Sequence, residues 1–565
     1  MRLSKFYDID FSFSNLGYDL KIFLISFLCG ASVFTAEYFF CLLFNSTFAV
    51  MGVQADEIRD VVLANFKSTI ILSQLKIILV YIVIGGLVGL CFGYILNLYS
   101  IIFKKSFRML SVILSVLFLC FIASLLFLII DIFYHPALYN EVFYANVGVL
   151  RDIQLYITDR ISKFVISFIR YITILIFSPL LIAAIFSIIK RIYKVFALLP
   201  LYGRIISAVI VLALTFLLAF SDTGKNQGPN IIILSSDSLR YDRISAYGYK
   251  RDITPNIDRL VSEGFSFNNL HAQLPRTFPS WYCLLTGKYP KGHGIRHMFP
   301  TREELKACKT DLVEILRNKG YTTSVVADYA GDIFSRMDDY ERVNTPYFNF
   351  DSMIKQRSLE LQFMLLPYIQ NRLGRYIFPE LRCFAQNSDP EYLKNDVIQE
   401  LEYLSKKKRF FLTVFFSVTH FPYASPYPYY KMYTENEYKG EYKYLKINDP
   451  RSAKVITKED RRYINALFDG ACKSLDDAVG QIIDDLKNKG LYDNSIIIIK
   501  SDHGENLYDY GLDIGHGEHF RGEFATHIPL IIKFHKNYAA NVKTKNYDGI
   551  VEQVDFLPTM LDILG

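Results

Sequence analysis

Five membrane-spanning helices followed by an α/β sandwich is the fold class this sequence predicts, and three observations carry that expectation. Hydrophobic residues make up 51% of the 565 positions and mean hydropathy is positive, too apolar for an ordinary soluble enzyme of this length. The excess is confined to the part before about position 222, which runs through long apolar blocks. Beyond it, short β-rich runs alternate with amphipathic helical stretches at globular charge density.

The apolar blocks are 20–44, 75–97, 110–134, 164–187 and 205–220. Each is long enough to enter a bilayer, and the last, "IISAVIVLALTFLLAF", is short but uninterrupted. A secretory signal peptide has one short apolar region and a small-residue cleavage site. Residues 20–44 are longer than that and four more spans follow, which predicts an uncleaved anchor. The polar stretch "SDTGKNQGPN" then marks a linker. The expected organisation is a transmembrane domain over 1–220, a linker over 221–229 and a catalytic domain over 230–565.

Basic residues set the expected orientation. With the N-terminus inside, Arg2, Lys5, Lys104, Lys105, Arg108, Lys190, Arg191, Lys194 and Arg204 fall on the cytoplasmic side. The opposite loops are longer and carry fewer cations. Five spans then place everything after Ser221 outside, making this a multi-pass protein of the cell membrane with an extracytoplasmic catalytic domain. Glu37, Lys76, Asp131 and Arg170 lie within the spans, toward their outer ends. They either reach for the headgroup region or line a polar pocket that receives a lipid headgroup.

A net charge of +6 is modest for this length and gives no nucleic-acid footprint. Cys29, Cys41, Cys91 and Cys120 lie in spans and read as small apolar residues. Cys283, Cys308, Cys383 and Cys472 lie in the outer domain, where a disulfide is permitted, with no metal-knuckle spacing and no pairing that sequence selects.

In the outer domain, "PNIIILSS", "TTSVVAD", "FFLTVFFSVTH" and "SIIIIKSDHG" are near-continuous apolar runs suited to a sheet covered on both faces. Helical patterns between them predict a parallel α/β sandwich. Ligands gather at the carboxyl ends of such strands. Asp237, Asp328, His420, Asp502 and His503 all stand at strand ends in this reading. Two carboxylates with an imidazole make an oxygen/nitrogen site suited to Zn²⁺ or Mn²⁺, with Ca²⁺ less apt because of the imidazole. In "PRTFPSWYCLLTGKYP", Pro279 and Ser280 are expected to start a helix whose N-terminus points at Thr277. Helix N-termini favour anions, and metal coordination is one way to activate a hydroxyl that is otherwise a poor nucleophile.

These segments, in this order, resemble the alkaline phosphatase superfamily, sulfatase-like branch, over Asn230 to about Gly565. "NIIILSSDSLRYDRISAYGYKRDITPNIDRLVSEG" is similar to the domain's opening and "TFPSWYCLLTGKYPKGHG" to its nucleophile segment. "FFSVTHFPY" is similar to its substrate-histidine segment, and "SDHGENL" with "HIPLIIK" to its closing metal segment. The resemblance implies that Asp237, Thr277, Asp502 and His503 hold one divalent metal ion, that Thr277 is the nucleophile, and that His420 and His516 contact the transferred anionic group. His293, Arg296 and Arg521 are further cations that no motif fixes.

Departures from the family narrow the chemistry. Sulfatases carry cysteine or serine at the nucleophile position, oxidised to formylglycine, with arginine four residues later. This chain has Thr277 and Trp281, and threonine cannot become formylglycine. Ser238 stands where a second acidic ligand is usual, and the Asp-x-x-x-His pair of the nucleotide pyrophosphatases is not found in the outer domain. Threonine on a membrane anchor instead resembles lipoteichoic acid synthases and phosphoethanolamine transferases. That implies a phospholipid donor and an envelope glycan or lipid acceptor. A membrane-anchored hydrolase would use the same residues, and a catalytically inactive scaffold would have no need of them. The apolar, basic segment 353–383 either lies on the membrane surface or packs in a core. The family's domain is also expected to continue beyond Gly565, so the sequence reads as truncated there.

Overall fold

The computed structural model describes residues 16–48, 53–103, 106–139, 148–174, 229–307, 311–337, 339–347, 349–440, 442–444, 456–511, 514–517, 520, 522–539 and 545–565. They belong to two compact units. One draws on 1–133, 146–218 and 354–376, the other on 134–145, 219–353 and 377–565.

The first unit contains α1 (Leu16–Phe48), α2 (Val53–Phe103) and α3 (Met109–Tyr134). Among the described residues, three stretches are long and apolar enough to cross a membrane: Leu20–Leu43, Ala64–Ser100 and Met109–Tyr134. The first two pack through small residues. A Cβ on Gly30 would stand 2.0 Å from the Gly85 carbonyl oxygen, and one on Gly89 would stand 2.0 Å from that of Ser26. Backbones therefore touch directly, as expected where lipid removes the hydrophobic drive between helices. Leu24, Leu79, Leu114 and Phe118 are exposed, which suits lipid contact. Residues 163–174 are helical, but the rest of the predicted span 164–187, all of 205–220 and linker positions 221–228 lie outside the described residues. So do Cys308, Arg521 and most of the basic residues on which the expected orientation rests.

Within this unit Glu37 and Asp131 are buried, Lys76 is half-buried and Arg170 is exposed. The portion 354–376 of the ambiguous segment belongs here too. Its Tyr368 ring lies 5.2 Å from Phe34 and 4.9 Å from Phe127, with the Tyr368 hydroxyl 3.1 Å from that of Ser124. Phe363 lies 6.2 Å from Phe40. Residues 354–376 of this segment thus pack against α1 and α3.

The second unit is built on β1 (Asn230–Ser236), α4 (Pro255–Glu263), β2 (Phe265–His271), α5 (Thr277–Thr286), β3 (Thr322–Ala327), β4 (Arg342–Asn344), α6 (Pro390–Leu404) and β5 (Phe410–Phe416). These are followed by α7 (Lys458–Asn488), β6 (Ser495–Ser501), β7 (Asn506–Leu507), β8 (Ile514–Gly515), β9 (His527–Lys533), β10 (Asn546–Tyr547) and β11 (Val551–Glu552). The main sheet runs β10-β2-β9-β6-β1-β5-β3-β4, with β11 beside β2; β7 and β8 pair separately.

The strands β6, β1, β5, β3 and β4 are parallel, as expected, but β9 is antiparallel to both β6 and β2. The expectation of a parallel sandwich is corrected to a mixed sheet. A parallel neighbour needs a crossover, usually a helix. Between Ser501 and His527 the described residues form only the β7–β8 hairpin and turns.

Alternation along the central strands divides the core. Ile232, Leu234, Leu412, Val414, Ile497 and Ile499 pack with Leu260, Val397, Leu401 and Ile482 of α4, α6 and α7. Ile231, Ile233, Phe411, Phe415, Ile496 and Ile498 pack with Trp281 and Leu285 of α5 on the other face. Burial on both faces explains why these strands read as continuous apolar runs.

Candidate active site and metal centre

Strand register brings the key residues together. Ser236, the last residue of β1, lies opposite Ser501 of β6 and Phe416 of β5. Asp237 and Asp502 therefore leave adjacent strands side by side. The chain must turn sharply after Asp237, and Ser238 does so with φ 66, in the left-handed region. In that conformation its N–H donates to Asp502 Oδ1 at 3.2 Å and its hydroxyl to Asp237 Oδ1 at 3.0 Å. The position where sulfatases are expected to carry another carboxylate is here a donor that orients the two that remain.

Helix α5 begins at Thr277 itself rather than at Pro279, so the threonine occupies the first helical position, which is buried. Ser280, one turn on, donates to the Asp502 carbonyl at 2.6 Å, and Gln553 Nε2 donates to the same oxygen at 2.6 Å. These bonds fix the β6 terminus against α5. The Thr277 Oγ1 then lies 3.3 Å from His503 Nε2.

His503 Nδ1 donates to the Gly504 carbonyl at 2.9 Å, which leaves a lone pair on Nε2. That nitrogen is 3.5 Å from Asp237 Oδ1 and 3.3 Å from Asp502 Oδ2. Three acceptors thus face one another in a fully buried site. Asp237 Oδ2 and Asp502 Oδ2 have no hydrogen-bond partner. Burial, then repulsion from Asp502, raises the Asp237 carboxyl well above its usual range. Burial pushes Asp502 up to about 6 and holds His503 well below the ordinary imidazole value. Unsatisfied buried carboxylate oxygens next to an imidazole lone pair are costly unless a cation joins them. The residues present fit a divalent metal ion, and oxygen/nitrogen donors suit Zn²⁺ or Mn²⁺.

His516 completes the cluster. One of its ring nitrogens lies with Asp237 and His503 atoms inside a 4.8 Å group capable of holding a cation. Its ring stands 4.1 Å from His503 and 5.1 Å from His420. Burial lowers its pKa, but the Glu505 carboxylate, 3.3 Å from Nδ1, more than reverses this and the net shift is upward. His420 is shifted the other way, down to about 4, by burial and then by His516. Its Nδ1 donates to the Phe421 carbonyl at 2.6 Å. A cleft of about 270 Å³ opens on Thr277, His420 and His516, with Arg276, Tyr329 and Arg336 on its walls.

Of the other residues singled out in the sequence, His293 is buried against Cys283, Sγ to Nε2 3.3 Å, and Arg296 is exposed. Neither borders the cleft, whose arginines are Arg276 and Arg336. Trp281 packs edge-on to Phe334 and Phe415, at 4.9 and 5.3 Å. Lys500 Nζ lies over its ring at 4.6 Å and is fully buried, which pulls its pKa down to about 8. This cation enters from β6, two residues before Asp502, where sequence reasoning saw only an apolar strand. Glu505 and Gln553 were equally unforeseen.

Comparison with known proteins extends this picture. A sulfatase from Formosa agariphila is 26% identical over 369 residues, covering 60% of this chain and 69% of the relative. The multifunctional alkaline phosphatase superfamily protein PehA of Trinickia caryophylli is 25% identical over 401 residues, 60% and 74% of the two chains. Among solved structures, the phosphonate monoester hydrolase of Agrobacterium radiobacter matches at TM-score 0.46 and 22% identity, covering 60% of this chain and 74% of that one. The C-terminal periplasmic domain of EcEptC from Escherichia coli matches at TM-score 0.40 and 17% identity, covering 61% and 84%. The sulfatase family model matches residues 229–565, and the chain therefore belongs to the sulfatase family, within the alkaline phosphatase superfamily.

Proposed function

We propose that this protein transfers a phospho-headgroup, of phosphoethanolamine or phosphoglycerol type, from a phospholipid to an envelope glycan or lipid, through a covalent intermediate on Thr277. The observation that carries this reading is the Thr277 hydroxyl, 3.3 Å from an imidazole lone pair that also faces two buried carboxylates. The chain would act at the outer face of the cell membrane, anchored by its N-terminal helices. Threonine cannot be converted to formylglycine, which sets this site apart from the sulfate-ester chemistry for which its family is named.

A divalent ion held by Asp237, Thr277, Asp502 and His503 would lower the pKa of the Thr277 hydroxyl and offset charge on the phosphoryl oxygens. With the Thr277 hydroxyl already deprotonated, its Oγ forms a bond to phosphorus as the bond from phosphorus to the diacylglycerol oxygen breaks, and in the second step Thr277 departs as the same alkoxide. His516, whose proton the Glu505 carboxylate helps to hold, gives it to the departing diacylglycerol oxygen. His420, kept neutral by burial, then takes the proton of the acceptor hydroxyl as its oxygen displaces Thr277. Two imidazoles whose surroundings push their pKa values apart are suited to acid and base roles. Their rings stand 5.1 Å apart, so resetting the pair needs only a short proton relay.

Intact-mass and peptide analysis of the full chain, in vesicles of phosphatidylethanolamine or of phosphatidylglycerol, tests the proposal. One phospho-headgroup added to Thr277, and none in Thr277→Ala, is the expected result, and the added mass names the headgroup. Turnover of either lipid without any adduct would overturn it. Hydrolysis is the second reading, since water can take the acceptor's place at the same residues. Product analysis with and without a glycan acceptor separates the two.

A further inference from the structure

The catalytic unit holds a second cavity, larger than the cleft at Thr277 and sharing no lining residue with it. It encloses about 480 Å³, within the range of small-molecule sites. Its walls come from the loop between β1 and α4 and from the first turns of α7. Five cations line it, Arg243, Lys250, Arg251, Arg461 and Arg462, against two carboxylates, Glu435 and Glu459.

Asp469, fully buried next to this wall, accepts from Arg243 at 2.8 Å, Arg251 at 2.5 Å and the Tyr249 hydroxyl at 2.7 Å. One carboxylate thus serves two guanidinium groups. Among the described residues no carboxylate pairs with Lys250, Arg461 or Arg462, and Arg461 Nε is buried without a hydrogen-bond partner. Arg461 and Arg462 also sit in the opening turns of a 31-residue helix, whose positive end repels cations. Its own acidic cap, Asp460, is already engaged by Thr457 and by the Tyr438 hydroxyl. Uncompensated cations at a helix N-terminus around a cavity mark a place for a bound anion.

The aromatic lining says more about that anion. Tyr433 lies 5.4 Å from the Arg251 guanidinium, and Tyr438 and Tyr463 are stacked at 4.1 Å. That stacked pair is buried and the Tyr438 hydroxyl is taken by Asp460, so the half-buried Tyr433 ring beside Arg251 offers the aromatic face for a ligand that is both sugar-like and charged. We propose that this cavity binds a phosphate-bearing glycan. Its role as the docking site for the acceptor rests on the transfer reaction proposed above, whereas the binding itself does not.

The test is titration of the full chain in detergent micelles with maltotetraose 6-phosphate, with unphosphorylated maltotetraose and inorganic phosphate as separate arms. The phosphorylated sugar is expected to bind at least about tenfold more tightly than either control. The Arg461→Gln/Arg462→Gln variant is expected to lose about tenfold or more of that affinity, since each charge-assisted contact to phosphate carries a sizeable share of it. Its thermal midpoint and its hydrolysis of a small aryl phosphodiester should stay unchanged, because neither arginine borders the Thr277 cleft. Tyr433→Ala, which removes a ring and no charge, should weaken the phosphorylated sugar and leave inorganic phosphate unaffected. Equal binding of the phosphorylated sugar and inorganic phosphate would reject the glycan. Equal binding of the two sugars would reject the anionic contact, and unchanged affinity in the double variant would reject the site. If the sugar binds as expected but no Thr277 adduct ever forms, the cavity stands and the transfer reaction falls.

Discussion

The two compact units reach close packing by opposite means. In the unit of long apolar helices, α1 and α2 meet at Gly30, Gly85 and Gly89, where there is no room for a single added carbon. In the catalytic unit, the sheet meets its helices through large branched and aromatic side chains, Ile233, Phe415 and Trp281 among them. Water drives the second arrangement by rewarding the apolar area removed from it. Helices apolar enough to cross a membrane would gain no such reward from lipid, and here backbone proximity takes its place. Buried polar groups cut across this division. In the catalytic unit carboxylates converge on one point suited to a cation, while the first unit holds both the mutually satisfied pair Ser124 and Tyr368 and the buried carboxylate Glu37.

The sharpest way to break this comparison is at the point of convergence. Thr277→Ala should lower turnover by at least about a thousandfold while leaving the fold and three of the four proposed metal ligands in place, since it removes the proposed nucleophile and its one contact to the ion. Steady-state kinetics with metal analysis checks both halves. Next in size is Asp502→Asn, which removes one of two charges facing the cation. Its affinity for Zn²⁺ or Mn²⁺ should fall by about a hundredfold or more, read by competition with a chelating dye.

The two packing modes can then be set against each other. Ile233→Ala empties a fully buried core position and should cost about 2–5 kcal/mol in the unfolding of the catalytic unit. Gly30→Val overfills the seam between α1 and α2. It should lower the melting temperature of the detergent-solubilised protein by a comparable margin, through added rather than removed volume. Tyr368→Phe is the smallest change, at about 0.6 kcal/mol for one hydroxyl pair within a membrane domain.

The buried carboxylates also predict a dependence on pH. Asp502 titrates at about 6 in the folded chain, above its value near 4 when unfolded, and Asp237 is displaced in the same direction. Holding them ionised without a cation costs stability above about pH 6, and the cost vanishes as they protonate. In the cation-free protein this contribution raises stability as pH falls from 7.5 toward 5, while His503 and His420, held neutral in the fold, lower it, so the Asp502 share is read as the difference in pH trend between the native chain and Asp502→Asn. With excess Zn²⁺ or Mn²⁺ the trend should reverse, because protons compete with the ion for the same oxygens. Thermal midpoints at the two pH values, with and without metal, decide the matter.

Asp237, Asp502 and His503 were legible in the sequence because they stand within two residues of the end of a strand whose composition announces it. Parallel register then places them together with no further information. Thr277 was legible from its segment. The residues that hold these in place were not. Ser280 and Gln553 meet at the Asp502 carbonyl from positions 273 residues apart, and nothing local marks either of them. Lys500 was hidden inside "SIIIIKS", a run whose isoleucines read as a continuous apolar strand. The antiparallel β9 was missed because its composition matches that of its parallel neighbours, and direction depends on the connection. The segment 354–376 carries enough charge to look amphipathic, and only its contacts with Phe34, Phe40 and Phe127 reveal where it belongs.

That last segment bears on how the protein can be handled. The chain leaves the catalytic unit after Met353 and rejoins it at Ile377, so cutting at the 221–229 linker does not separate the two units cleanly. A fragment beginning at Asn230 would take Phe363 and Tyr368 with it and leave their aromatic neighbours behind. Such a fragment should bind detergent and lipid as though it still had an anchor. Replacing 354–376 with a short polar bridge is the route to a version that stays in water.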